Sequence, residues 1–182
     1  IPFQVIPGVS SALAVPTYTG IPLTHRGISS SFTVVTGNEA TNKRDSAVDW
    51  NQLAKGTGTL VILMGWENFD AIAKTLLSSG MPVKTPVALV QSGTNPNQKT
   101  ITGTLSNIWE RAQKSELGPP IVAILGEVVK FHECINWFDN LPLSGKRILV
   151  TRPLDQSKSL SDLLIQAGAQ PVEVPTIEVR PL

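Results

Sequence analysis

The sequence predicts an α/β fold: a mixed sheet of about five strands flanked by helices, followed by a truncated βαβ opening of a second α/β domain. Three observations lead there. Apolar, β-branched runs alternate with segments whose apolar residues recur at helical spacing. Pro86–Gln91 and Lys99–Thr104 are joined by the turn-rich Ser92-Gly93-Thr94-Asn95-Pro96-Asn97, a hairpin signal that rules out an all-parallel sheet. The composition then shifts at Asn136-Trp137-Phe138-Asp139-Asn140, a linker follows over 140–146, and a new strand pattern opens at Arg147.

Taken in order, Ser10 after Pro7-Gly8 is an N-cap candidate for a helix running toward Gly20, shortened or bent by Pro16. Ser31–Thr36 is β-branched and aromatic and reads as a strand. Residues 38–58 are polar and charged, the expected flexible surface segment, with a short helix at Asp49–Ala54. Thr59–Met64 is an unbroken apolar run, as in a strand covered on both faces, and Gly65 ends it. Phe69, Ile72, Ala73, Leu76 and Leu77 share one helix face, with Gly80 as the stop and Asp70/Lys74 as an exposed pair. After the hairpin, Leu105, Ile108, Trp109 and Ala112 form another amphipathic helix, and Pro119-Pro120 precedes the strand Ile121–Leu125. In the tail, a strand over Arg147–Thr151 leads to a helix capped by Asp155 or Ser157, with Leu160, Leu163, Leu164 and Ala167 on one face. Gly168 ends that helix, and Val172–Pro175 begins a further strand. This last unit is too short to bury a core of its own.

With 41% apolar and 16% charged residues the 182-residue chain suits a packed core. A net charge of +1 lacks the basic excess of a general nucleic-acid surface, so no nucleic-acid partner is expected. No apolar run approaches the roughly 18 residues of a membrane span. The single cysteine, Cys134, excludes an intrachain disulfide and a Cys-rich zinc site and fits a reducing cytoplasm. The start, Ile1-Pro2-Phe3-Gln4, has neither Met nor a basic leader, so the chain is expected to be a segment of a longer protein.

Several dispersed motifs carry a resemblance. They are Val5-Ile6-Pro7-Gly8-Val9-Ser10-Ser11-Ala12, Gly20-Ile21-Pro22-Leu23-Thr24-His25-Arg26, Val34-Val35-Thr36-Gly37 and Leu63-Met64-Gly65. Pro86-Val87-Ala88-Leu89, Gly93-Thr94, Thr102-Gly103-Thr104-Leu105 and Gly126-Glu127-Val128-Val129 follow in the same order. Over residues 1–139 the chain resembles the C-terminal half of the uroporphyrinogen-III C-methyltransferases, of the tetrapyrrole methylase superfamily. Residues 147–182, with Thr151-Arg152-Pro153, resemble the start of uroporphyrinogen-III synthase. The resemblance implies S-adenosyl-L-methionine as methyl donor, S-adenosyl-L-homocysteine as product, uroporphyrinogen III as substrate, precorrin-2 as the methylated product and a homodimer. The family's Gly-Gly-Gly-Asp-Pro loop has no counterpart here, so the chain is expected to be inactive alone. A methylase of a later corrin precursor and a non-catalytic binding or dimerisation lobe stay open as alternatives.

Residue by residue, the resemblance assigns cofactor contacts to Ser10, Ser11, Met64, Gly93, Pro120 and Ile121. Each also has an ordinary structural reading: N-capping for the serines, core packing for Met64, a turn for Gly93, and a strand start for Pro120 and Ile121. Thr24, His25 and Arg26 are the candidate substrate contacts. Arg26 would hold a substrate carboxylate in bidentate fashion or make an inter-lobe or inter-subunit salt bridge, and His25 would shuttle a proton or serve as a structural donor. Asn38 stands where relatives often carry His. Arg152 is a carboxylate ligand or a surface arginine. His132 and Cys134 receive no role, and no metal site is expected.

Overall fold

The computed structural model describes residues 2–38, 47–56 and 58–177. Its main body is a five-stranded mixed sheet in the order β1-β2-β5-β3-β4. The strands are β1 (Phe32–Thr36), β2 (Thr59–Leu63), β3 (Pro86–Gln91), β4 (Lys99–Thr104) and β5 (Ile121–Leu125). β1 and β2 are parallel, whereas β5 runs antiparallel to both its neighbours, β2 and β3, and β4 closes the hairpin with β3. The mixed five-strand sheet is thus the one expected from the pattern.

Alternation along the three inner strands supplies two cores. Leu60, Ile62, Val87, Leu89, Ala123 and Leu125 face helices α3 (Phe69–Ser78) and α4 (Ile108–Lys114), packing on Phe69, Ile72, Leu76 and Ile108. Val61, Ala88, Val90, Val122 and Ile124 face the other way, onto Ala12 and Val15 of helix α1 (Ser11–Tyr18) and onto Val128 and Val129. Because both faces are covered, these strands read as unbroken apolar runs rather than alternating ones.

Ser10 caps α1, its Oγ accepting from the Ala12 amide at 3.2 Å. Ser10→Ala should therefore lower stability by about 1 kcal/mol in urea unfolding. Pro16 lies inside α1, buried, without ending it. The helix stops in a Schellman motif: the Gly20 amide bonds to the Thr17 carbonyl at 3.1 Å and the Ile21 amide to Pro16 at 2.9 Å. Gly20 takes φ +68 there. The same closure ends α3 at Gly80. The exposed Asp70–Lys74 pair forms as expected.

Helix α2 (Trp50–Ala54) begins at Asp49, whose Oδ1 accepts from the Gln52 amide. The expectation of flexibility over 38–58 takes in residues 39–46 and 57, which lie outside the described residues. β2 stops one residue earlier than expected, because Met64 turns into the left-handed region at φ 53. Past β5, a 3₁₀ turn (Glu127–Phe131) and the short α5 (His132–Ile135) fold back onto α1. His132 Nδ1 sits 2.6 Å from the Thr19 carbonyl oxygen, and Trp137 Nε1 donates to the Thr17 carbonyl at 3.1 Å. Tyr18 packs against both Trp137 and Phe138.

The tail folds as a parallel βαβ: β6 (Arg147–Val150), α6 (Leu154–Gln166) and β7 (Gln170–Glu173). Three expectations are corrected. α6 starts at Leu154 after Pro153, ahead of both Asp155 and Ser157, so neither caps it. Ser157 instead donates to the Leu154 carbonyl or to Glu173 Oε1, both at 3.1 Å. Leu163 is also exposed rather than on the covered face, since the stripe facing β7 runs through the buried Ser157 and Ser161, whose hydroxyls both reach Glu173. β7 begins two residues earlier than expected, at Gln170.

Candidate functional site

β3 is parallel to β1 and β2, since both β2 and β3 pair antiparallel with β5. The carboxyl ends of β1, β2 and β3 therefore meet the start of β5 at one end of the sheet. That is where open α/β sheets place their ligand crevices. A cavity of about 570 Å³ lies there, within the usual range of small-molecule sites.

Five stretches far apart in sequence build it: Ser11 and Val15 one turn apart on α1, Asn38 after β1, Leu63 to Glu67 at the end of β2, Val90 to Asn95 at the β3–β4 loop, and Pro119 to Val122 entering β5. Five of the six predicted cofactor residues, Ser11, Met64, Gly93, Pro120 and Ile121, thus surround one space. Ser10 does not line it, and acts by capping the helix that presents Ser11.

Backbone strain singles out the same place. Four described non-glycine residues have positive φ: Met64 at 53, Ser92 at 49, Thr94 at 72 and Glu116 at 54. Met64 and Ser92 line the cavity, and Thr94 belongs to its loop. Such conformations cost about 1–3 kcal/mol each and gather where a backbone must be held for a ligand. Met64 is 67% exposed, which removes its reading as a core methionine. Gly93 approaches α1 so closely that an added Cβ would lie 2.6 Å from both γ-carbons of Val15. Gly37 and Gly65 are in comparable backbone contact at the ends of β1 and β2, where a Cβ on Gly37 would fall 2.5 Å from the Gly65 Cα.

The lining combines apolar side chains (Val15, Leu63, Val90, Val122) with a few polar groups, and Glu67 is the one charged residue among those described. Trp66 lines the cavity with its ring centroid 5.0 Å from that of Trp109. Val15, Trp66 and Glu67 carried no signal of their own in the sequence. The one clue was position: Trp66 and Glu67 directly follow the buried strand and Gly65, where an α/β sheet opens to solvent.

Thr24, His25 and Arg26 lie elsewhere, exposed in the loop after α1, and none lines this cavity. His25 pairs by backbone with Ser29, and its ring packs on Phe131 at 4.4 Å. Arg26 makes no ion pair among the described residues. A second cavity, about 550 Å³, opens at the opposite end of the sheet, near Ser29, Thr59 and Thr85, and holds none of the predicted site residues. Among the described residues no cluster of His, Cys, Asp and Glu could hold a metal, and no helix is long and apolar enough to cross a membrane.

Comparisons with known proteins bear on this geometry. Residues 1–108 match the family model of the tetrapyrrole (corrin/porphyrin) methylases. The whole chain is 40% identical over 182 residues to the porphyrin biosynthesis protein HemD of Ruminiclostridium josui, covering 36% of that protein. Over 130 residues, 71% of the chain, it is 49% identical to the uroporphyrinogen-III C-methyltransferase of Methanocaldococcus jannaschii, covering 53% of it. The crystal structure of uroporphyrin-III C-methyltransferase from Thermus thermophilus, complexed with S-adenosyl homocysteine, superposes with a TM-score of 0.59 at 35% identity. That match covers 71% of this chain and 55% of the other. The chain thus spans between about a third and about half the length of these relatives. With its mixed five-stranded sheet, its cavity at the carboxyl end and a family match over more than half its length, this chain belongs to the tetrapyrrole methylases.

Proposed function

We propose that residues 1–139 are the C-terminal, cofactor-binding lobe of an S-adenosylmethionine-dependent uroporphyrinogen-III C-methyltransferase, and that residues 147–182 open a uroporphyrinogen-III synthase domain in the same protein. The observation that carries the first part is the convergence of Ser11, Met64, Gly93, Pro120 and Ile121 on one cavity walled by left-handed, non-glycine backbone. The likeness to relatives that bear the methyltransferase name supports it. For the second part, the matches to the HemD protein and to the Bacillus subtilis uroporphyrinogen-III C-methyltransferase both run on into the tail, which supports the two segments belonging to one protein.

The residues present fit the proposed cofactor. The cavity has the size for a nucleoside-containing ligand, apolar walls for an adenine, and close backbone at Gly93. Ser11, in the first turn of α1, would meet the amino-acid portion with the amides of the helix start. Met64 and the entry to β5 would pack against the nucleoside, and Glu67 gives the rim a negative charge suited to a cationic sulfonium. When bound, S-adenosylmethionine supplies a methyl already activated for transfer to a pyrrole carbon. The protein's part is then to align the reactants and exclude water. Arg26, exposed and without a described ion-pair partner, would hold a carboxylate of uroporphyrinogen III. Methyl transfer belongs to the full protein encoded by the gene, acting as a homodimer, rather than to these residues alone.

Titration calorimetry with S-adenosylhomocysteine tests the site. Micromolar binding by the full protein is the expected result, and absence of binding by a folded full protein would overturn the cofactor reading. Sequencing the gene on both sides tests the domain assignment. An in-frame upstream lobe carrying Gly-Gly-Gly-Asp-Pro and a continued synthase domain downstream are expected, and a stop codon in either flank would overturn the corresponding half.

A further inference from the structure

The loop from Ser92 to Gln98 walls the cavity in a conformation its residues do not favour. Ser92 and Thr94 are both left-handed, at φ 49 and 72, without being glycine. Something must hold them there. Local bonds do part of it: the Asn95 amide donates to the Ser92 carbonyl at 3.1 Å, and Asn95 Nδ2 reaches the Ser92 and Gly93 carbonyls at 3.2 and 3.3 Å. From outside the loop, the Ser92 amide donates to Pro120 at 3.0 Å and the Gly145 amide to Pro96 at 2.9 Å.

The remaining hold is a buried side-chain relay. Gln98 is only 9% exposed. Its Oε1 accepts from the Thr94 amide at 2.8 Å, and its Nε2 donates to Asp139 Oδ1 at 2.8 Å. Asp139 Oδ2 accepts from Thr100 Oγ1 at 3.2 Å. The direction of the relay follows from chemistry. An ionised carboxylate can only accept, so Asp139 forces the NH₂ end of Gln98 toward itself and leaves the oxygen end for Thr94. The carboxylate thereby determines the partner offered to a strained amide next to Gly93, a cavity residue with which it makes no hydrogen bond.

We infer that Gln98 and Asp139 are positioning residues for the cofactor site, holding the β3–β4 loop in its binding conformation through the Thr94 amide. This deepens the cofactor reading proposed above and rests on it. Neither residue lines the cavity, so their effect on binding must pass through the loop.

The test swaps the polarity of the pair in the full protein. Gln98→Glu keeps an acceptor for Thr94 but sets a carboxylate against Asp139. Combining it with Asp139→Asn restores one donor facing one acceptor, and the amide introduced by that second change still offers an oxygen to Thr100. Hydrogen exchange of peptides spanning 92–98, measured without ligand, reads the loop, and calorimetry with S-adenosylhomocysteine reads the site. Gln98→Glu should speed exchange in the loop and weaken binding about 5-fold, and the double variant should recover both to within about 2-fold. Unchanged binding by a Gln98→Glu protein whose loop exchanges faster would overturn the proposal, as would a double variant that recovers neither property. If Gln98→Glu alone does not fold, a folded double variant with wild-type affinity supports the pairing, and a folded one with weakened affinity overturns it. Wild-type protein that protects the loop but takes up no S-adenosylhomocysteine would instead overturn the cofactor reading, a result distinguishable because exchange is read without ligand.

Discussion

Gly93→Ala is expected to weaken S-adenosylhomocysteine binding between about 5- and 150-fold, the range that overpacking by one methyl gives when it falls on a binding wall. The new Cβ would sit 2.6 Å from both γ-carbons of Val15 and 3.0 Å from its Cβ. Val15 has little room to yield. It is branched at Cβ, so its χ1 is stiff, and it is 4% exposed among Val90, Val122 and Ile124. The loop therefore moves instead, away from α1, and the gap between Gly93 and Ser11 that would receive the ligand changes shape. Val15→Ala removes the atoms that collide. The double variant should regain most of the lost affinity while losing stability, because Val15→Ala leaves a small void under the sheet. Calorimetry on the two single variants and the double decides this. Wild-type affinity in Gly93→Ala would mean that the ligand does not depend on this wall.

Gly20→Ala should cost about 4 kcal/mol of folding stability, the sum of left-handed strain on an alanine and a clash with main-chain atoms. At φ +68 an added Cβ would collide with the Ile135 carbonyl oxygen and lie 2.5 Å from its carbon. Neither atom belongs to a side chain that could rotate aside. The segment that must shift also carries His132 against the Thr19 carbonyl and Trp137 against the Thr17 carbonyl, so those contacts are put at risk as well. Gly80 is the internal control. It ends α3 in the same motif at φ +100, with nothing within 4 Å of its would-be Cβ. Gly80→Ala should therefore show the backbone strain alone, about 1–2 kcal/mol. Urea unfolding of both variants separates the two terms. Equal losses would show that the Ile135 contact yields without cost.

The sheet was legible because its inner strands are covered on both faces and because a six-residue turn announced the hairpin. The start of α6 was not. Asp155 and Ser157 have cap chemistry, but Pro153 sets the entry to the helix, and Ser157 has its own partner in Glu173, a residue sixteen positions on. Leu163 misled for a related reason: the face toward β7 holds two serines paired with a carboxylate, so an apolar periodicity cannot find it. In the site, Ser11, Met64, Gly93, Pro120 and Ile121 could be named through resemblance, and the fold brings them around one cavity. Val15 could not, since a valine in a helix reads as core and only the approach of Gly93 gives it a second task. Gln98 was equally silent, because its partner Asp139 lies forty-one residues away. Thr24, His25 and Arg26 stood out in sequence, yet they share no space with the cavity residues.

The strand order has a consequence for how this sheet comes into being. β5 is the last of the five strands along the chain and the middle one in space. Until Ile121–Leu125 has emerged from synthesis, β2 and β3 each present a bare hydrogen-bonding edge, and the β1–β2 pair and the β3–β4 hairpin are halves with nothing between them. The pairing of Leu60 with Leu125 spans more than a third of the chain and is of the slow kind to form. Since Pro119–Val122 also supplies one side of the cavity, the site has no earlier, partial existence: sheet closure and the birth of the pocket are one late event.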